Sequence, residues 1–335
     1  MCYNIIVFYY YNIEAEMRQK YRFLKKSLVI SVICLLAIAL MSGICFSFMY
    51  DAPTYTLRFP HIVTGLLYFA IIGTVAYSVY FTLKVKSINI TRIKKTSRFW
   101  RFASTLGAIM MIVFFIYECI VSITKANFQA YFIFRVIRWL LTIPTCIYFV
   151  FQAMPNRIKR VKIVPPEYIK VALSICSIFW CLFGILTTYF SSLTATDIAK
   201  ISQLFVYASC ALFLVFEGKF EIFGSGHKAY FISAFTCSAL TFGFPFGISV
   251  AKIVGKMSPY RAFSQPELIL SVVFGIYALS KMFAIVLTMR AVAENSSRSS
   301  HSSKFDKKSS NNDSDKGEDS DAKGEIASKS EGEDK

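Results

Sequence analysis

The sequence predicts an all-α polytopic membrane protein with eight transmembrane helices, and three observations carry that expectation. The first is composition: 55% of the 335 residues are hydrophobic and 33 are Phe, with a mean hydropathy of +0.51. A soluble globule of this length has no interior large enough for that much apolar surface. The second is length: apolar stretches recur from Leu28 to Met289, each of about 20 residues and so able to cross ~30 Å of hydrocarbon at ~1.5 Å per residue. The third is the alternation of basic and cation-poor segments between those stretches.

In chain order the spans fall at 27–49, 62–83, 102–124, 131–152, 169–190, 200–217, 230–251 and 267–289. The first follows a 26-residue segment, and its apolar core is longer than that of a cleaved signal, so it reads as a signal-anchor helix. Residues 1–13 are too short to span and suit the interface or no fixed structure. Segments on one side of the spans hold 18 basic residues, among them Arg18, Lys25, Arg98, Arg157, Arg160 and Lys219. The opposite side holds 5: Arg58, Lys125, Lys252, Lys256 and Arg261. The positive-inside rule then places both termini in the cytoplasm, with residues 1–26 as a cytoplasmic segment.

The formal charge of +17 resides in these short loops, where it meets lipid headgroups rather than nucleic acid. Residues 295–335 carry 8 basic and 10 acidic side chains and almost no apolar ones. The segment 291–335 therefore reads as a disordered cytoplasmic tail, because it cannot offset its chain entropy by burial. Eight of the nine cysteines fall within spans. None has a metal-ligand spacing, so no metal and no structural disulfide is expected. His61, His227 and His301 are isolated, and no cluster suits a membrane enzyme. No catalytic residue is expected.

Ionisable residues deep in a span are costly and mark function. Glu118 reads as the only carboxylate well inside a span; the cations there are Arg135, Arg138 and Lys281. Glu118 and Arg138 both lie roughly 10 Å from the cation-poor surface at ~1.5 Å per residue. A short loop makes their helices antiparallel neighbours, so Glu118 is expected to pair with Arg138 or Arg135. Lys281 lies near the middle of the last span, and one acid for three cations leaves a positive charge to be explained.

At these residues the chain resembles the microbial (type 1) rhodopsins. Their third of seven helices carries R-x-x-D/E-W-x-x-T-x-P; here Arg135, Arg138, Trp139, Thr142 and Pro144 stand in that frame. Lys281 matches the retinal lysine of the last helix, Phe244-Pro245 the aromatic–proline pair of the sixth, and Tyr117 the pocket tyrosine of the second. The resemblance covers about 62–289 and implies a seven-helix rhodopsin-like bundle over 62–290. The helix at 27–49 resembles the additional N-terminal span of eight-helix rhodopsins.

The resemblance implies retinal as cofactor, bound as a Schiff base on Lys281, with Tyr117, Trp139, Thr142, Pro144, Phe244, Pro245 and Tyr277 around it. The counterion positions depart from the family: Arg138 and Tyr277 stand where carboxylates are usual, and Phe149 where a proton donor is. Thr241 and Ile248 replace pocket tryptophans. An outward proton pump is therefore not expected. The implied function is a retinal-binding photoreceptor or light-gated membrane protein, with Glu118, Arg135 and Arg138 as a charge site. An Arg138 near the Schiff base would depress its proton affinity, or would hold an anion as counterion. The alternative is a non-photoactive opsin-like receptor, transporter or ion-binding membrane protein. In that case Lys281 pairs with Glu118 or binds an anionic ligand. Expected partners are the lipid bilayer, retinal, and a second copy or another membrane protein.

Overall fold

The computed structural model describes residues 2–51, 56–57, 62–84, 98–124, 132–154, 167–190, 197–223, 226–255 and 263–310. The basic segments 85–97 and 155–166, the opposite ones at 125–131, 191–196 and 256–262, and the end of the tail from 311 lie outside the described residues. Met1–Ala291 forms one compact unit and Val292–Lys335 a second.

The helices are α1 (Cys2–Phe48), α2 (Ile62–Lys84), α3 (Arg98–Thr124), α4 (Phe132–Ala153), α5 (Glu167–Tyr189), α6 (Ile198–Phe223), α7 (His227–Gly243), α8 (Pro245–Ile253) and α9 (Gln265–Ser310). Eight helical segments among the described residues are long and apolar enough to cross a membrane. The chain is thus an all-α polytopic protein, as its hydropathy predicts. Between α1 and α2, β1 (Tyr50–Asp51) and β2 (Thr56–Leu57) pair antiparallel, with Tyr50 opposite Leu57.

Besides α1, which is helical from Cys2 and not only over the span expected at 27–49, three elements depart from expectation. The sixth span does not stop at 217: α6 continues to Phe223, because its next residues keep their i→i−4 backbone bonds although Lys219 and Glu221 among them are charged. The seventh span is broken into α7 and α8 at Phe244. Pro245 has no N–H to donate to the preceding turn, and its ring clashes with that turn's carbonyl, so it opens a new helix at N1. The third is α9, helical to Ser310 where composition predicts no structure. A formed helix adds residues without a new nucleation cost, which favours continuation past Asn295.

Lipid-facing stripes are plain. On α3, Ile109, Ile112, Ile116 and Ile120 recur every three or four residues, each about half exposed, as an outer face in hydrocarbon requires. The helices α3 to α7 pack in sequence, α2 packs on α7, and α1 packs on α2, α7 and α8. The last two spans are the most buried of the eight: 72% of the apolar stretch of both His227–Ile253 and Gln265–Thr288 is buried, against 28% of that of Ile62–Lys84.

Named contacts explain that burial. Phe283 meets Phe99 of α3, Phe274 meets Phe149 of α4 and Trp180 of α5, and Gln265 donates to Ser249 Oγ of α8 at 2.5 Å. On the α7 side, Gly275 lets the backbones approach until its carbonyl accepts from Ser238 Oγ at 3.0 Å. Small residues at such crossings replace the hydrophobic drive that lipid cannot supply. The last span is therefore a central post rather than one wall of a ring.

Candidate functional site

The polar interior of the bundle is divided between two clusters on α9. At the end where the loops are cation-poor, α9 opens with Ser264, whose Oγ accepts from the Glu267 N–H at 3.2 Å. This is the backbone half of a capping box. The Glu267 side chain turns instead to α4 and α6. Arg138 Nη1 donates to Glu267 Oε1 at 2.8 Å, and Arg138 Nη2 donates to the Tyr207 hydroxyl, which donates in turn to Glu267.

The guanidinium lies 4.6 Å from the Trp180 ring centre and 5.0 Å from that of Phe114. Arg138 and Glu267 are both buried. The carboxylate also sits in the first turn of α9, where the helix dipole favours it. Asp197 supports the same end of the bundle: it caps α6 by accepting from the Ala199 N–H at 2.8 Å. Burial pushes its carboxyl above the usual range, and backbone hydrogen bonds hold it back.

Lys281 lies 14 positions further along α9, a rise of ~21 Å at ~1.5 Å per residue. It is fully buried. Its Nζ is 2.5 Å from Glu217 Oε1, donates to Glu221 Oε1 at 2.7 Å and donates to Gln152 Oε1 at 3.1 Å. Those three acceptors use all three ammonium protons. Gln152 donates from its amide to Glu221 Oε2 at 3.3 Å, which fixes both groups. The Tyr277 hydroxyl donates to Glu217 Oε1 at 2.6 Å, and the ammonium sits 3.9 Å from the Trp100 ring centre. Five side chains from α3, α4, α6 and α9 thus converge on one amine.

Aromatic rings fill the space between the clusters. Trp180 stacks on Phe274 at 5.8 Å, and Phe149 packs against both Phe274 and Tyr277. Trp180 is anchored by donating to Thr142 Oγ1 at 3.0 Å.

The third pair is peripheral. Arg135 Nε donates to Glu118 Oε2 at 2.6 Å, with the arginine side chain 30% exposed. Glu118 therefore takes Arg135, while Arg138 takes Glu267 and Lys281 takes Glu217 and Glu221 instead of Glu118. Two expectations are corrected. Glu118 is not the only carboxylate inside the spans, because Glu217, Glu221 and Glu267 are there too. Nor is a cation left over, since Arg135, Arg138 and Lys281 each meet a carboxylate. The sequence reading missed these acids because each stands at or beyond the edge of an expected span, where a charge is ordinarily solvated. The signal available was the i, i+4 pair Glu217 and Glu221, which shares one helix face.

Of the remaining expected pocket residues, Tyr277 is brought to Lys281 through Glu217. Thr142 lies with Trp180, one turn from Arg138, whose carbonyl accepts from Thr142 Oγ1 at 3.0 Å. Trp139 and Pro144 are half-buried, and Trp139 stacks on Phe115 of α3 at 5.0 Å. Tyr117 is half-buried on α3. Phe244 packs on Phe46 of α1 and Tyr68 of α2, with Pro245 buried beside it. These residues are held by neighbours different from those that hold Lys281. Arg138 is not set against Lys281 either: it belongs to the cluster about 14 positions away along α9, so the like-charge effect expected at a Schiff base does not arise from it.

Among the described residues, no three His, Cys, Asp or Glu side chains gather as metal ligands. No family model, curated protein or solved structure matches the chain, so the likeness to microbial rhodopsins rests on the residues quoted for it.

Proposed function

We propose that this chain is an ion-binding membrane transport protein whose working site is Lys281 with Glu217, Glu221 and Gln152. The observation that carries the reading is a fully buried ammonium divided between two carboxylates inside a span. Charges in such a place are expensive, and a packed apolar core would serve stability as well or better. Glu221 also lies in the last turn of α6, where the helix dipole disfavours an anion. Arg138–Glu267 has the opposite character, capped, dipole-favoured and caged by rings, and reads as an anchor.

Charge distribution supports an orientation with both termini in the cytoplasm, which places the Lys281 cluster toward that side. The test is charge movement under an imposed potential in liposomes holding the purified protein. The expected result is movement that is lost in Lys281→Ala and kept in Glu118→Gln. Wild-type protein that moves no more charge than empty liposomes would sink the proposal.

A retinal-binding photoreceptor is the second reading, favoured by one observation. Two carboxylates lie within 2.7 Å of Lys281 Nζ, which supplies counterions that positions 138 and 277 lack. An absorption spectrum after incubation with all-trans retinal, beside Lys281→Ala, separates the readings. A Lys281-dependent band selects the photoreceptor; its absence leaves the ion site.

A further inference from the structure

The geometry points to a proton-exchange half-channel that enters from the end of the bundle where α6 terminates, with Glu221 at its mouth and Glu217 as its buried proton acceptor. The inference deepens the reading of the Lys281 cluster as the working site by naming the ion it handles, and it rests on that reading.

Two observations carry it. Glu217 Oε2 is buried and has no hydrogen-bond partner among the described residues, while Oε1 receives both Lys281 and Tyr277. A buried acceptor left open in this way is costly, and more so for a charged group. A proton on that oxygen removes the cost. Lys281 also divides its charge between two carboxylates, so Glu217 does not receive a whole positive charge from it. The second observation is a gradient of access: the Glu221 side chain is 26% exposed and that of Glu217 is 1% exposed. The two stand four residues apart on one helix face and meet the same nitrogen.

The other groups around Glu217 are consistent with a terminus there. On α9 they are Lys281 and Tyr277, on α4 Tyr148, on α7 Tyr230 and on α6 Glu221 itself. The Tyr230 hydroxyl is buried and unpartnered among the described residues. Above Glu217, Phe149 and Phe213 close on the Tyr277 ring at 5.0 and 6.0 Å, leaving the apolar layer toward Arg138.

Uptake transfers one proton from a hydronium ion at the mouth to the Glu221 carboxylate, leaving water. Glu221 then passes it to Glu217 Oε2, and Glu221 is again a carboxylate. Neutral Glu217 no longer attracts the ammonium as an anion does, so Lys281 turns wholly to Glu221. Release reverses each transfer.

The test is infrared spectroscopy of the full chain in lipid, followed through a pH titration between about 5 and 9, which brackets ordinary and raised carboxyl values. The expected result is a protonated-carboxyl carbonyl band that rises as pH falls and shifts on exchange into deuterated water. It is lost in Glu217→Gln and kept in Glu267→Gln. Glu221→Gln is expected to keep the band but slow its deuterium exchange by about a hundredfold, the low end of what a positioned acid–base group contributes. That variant carries the test should Glu217→Gln fail to fold. No titrating band in wild type, or exchange unchanged in Glu221→Gln, overturns the half-channel. Should Lys281-dependent charge movement persist in that case, the working site stands and its ion is not a proton.

Discussion

The contrast between Arg138 and Lys281 shows how much a residue's neighbours decide. Both are buried cations on the bundle interior, and both would read alike in a hydropathy plot. Arg138 meets one carboxylate, two hydroxyls and three ring faces, with Nη1 and Nη2 hydrogen-bonded and Nε buried without a partner among the described residues. Arg138→Met is expected to lower stability by about 3–5 kcal/mol, because Glu267 is left buried without its cation. Arg138→Met with Glu267→Gln should recover most of that loss in thermal melting in detergent. A single variant as stable as wild type would show that the pair is solvated and not an anchor. The existence of buried cations at 138 and 281 was legible in the sequence. Their partners were not, since pairing depends on helix rotation and depth, which no single span reveals.

Elements were read well where one force decides them. Eight apolar lengths gave eight spans, whereas the break at Phe244-Pro245 within the seventh was not expected, although proline removes a donor wherever it stands. The end of α6 was misread because Glu217 and Glu221 lower the local hydropathy, although the backbone continues past them to Phe223. That error hid the site, since it moved one carboxylate to a span edge and the other into a loop. The crossing of α9 and α7 offers a test of the element packing. A Cβ on Gly275 would stand 1.9 Å from Thr241 Oγ1 and 3.0 Å from its Cβ. Gly275→Ala is therefore expected to destabilise by about 1–3 kcal/mol, the usual cost of overpacking. Adding Thr241→Ala should recover part of it, read as the midpoint of thermal unfolding. No loss in Gly275→Ala would contradict the close approach of these helices.

Across the unit Met1–Ala291, the α9 span carries an anchored charge cluster toward one end, a second cluster toward the other, and rings between. Nothing in composition distinguishes this from a seven-helix ring around a pocket. The same aromatic content serves either, and here Trp180, Phe274 and Phe149 pack between the two clusters. The most direct test of the central claim separates a working charge cluster from a structural one. Lys281→Gln alone should lose stability, and Lys281→Gln with Glu217→Gln should regain most of it, since the one carboxylate left without its cation, Glu221, is partly exposed. The stable double variant, placed in liposomes under an imposed potential, is expected to move no more charge than empty liposomes. A double variant that moves charge at the wild-type rate would contradict it and reduce the cluster to packing.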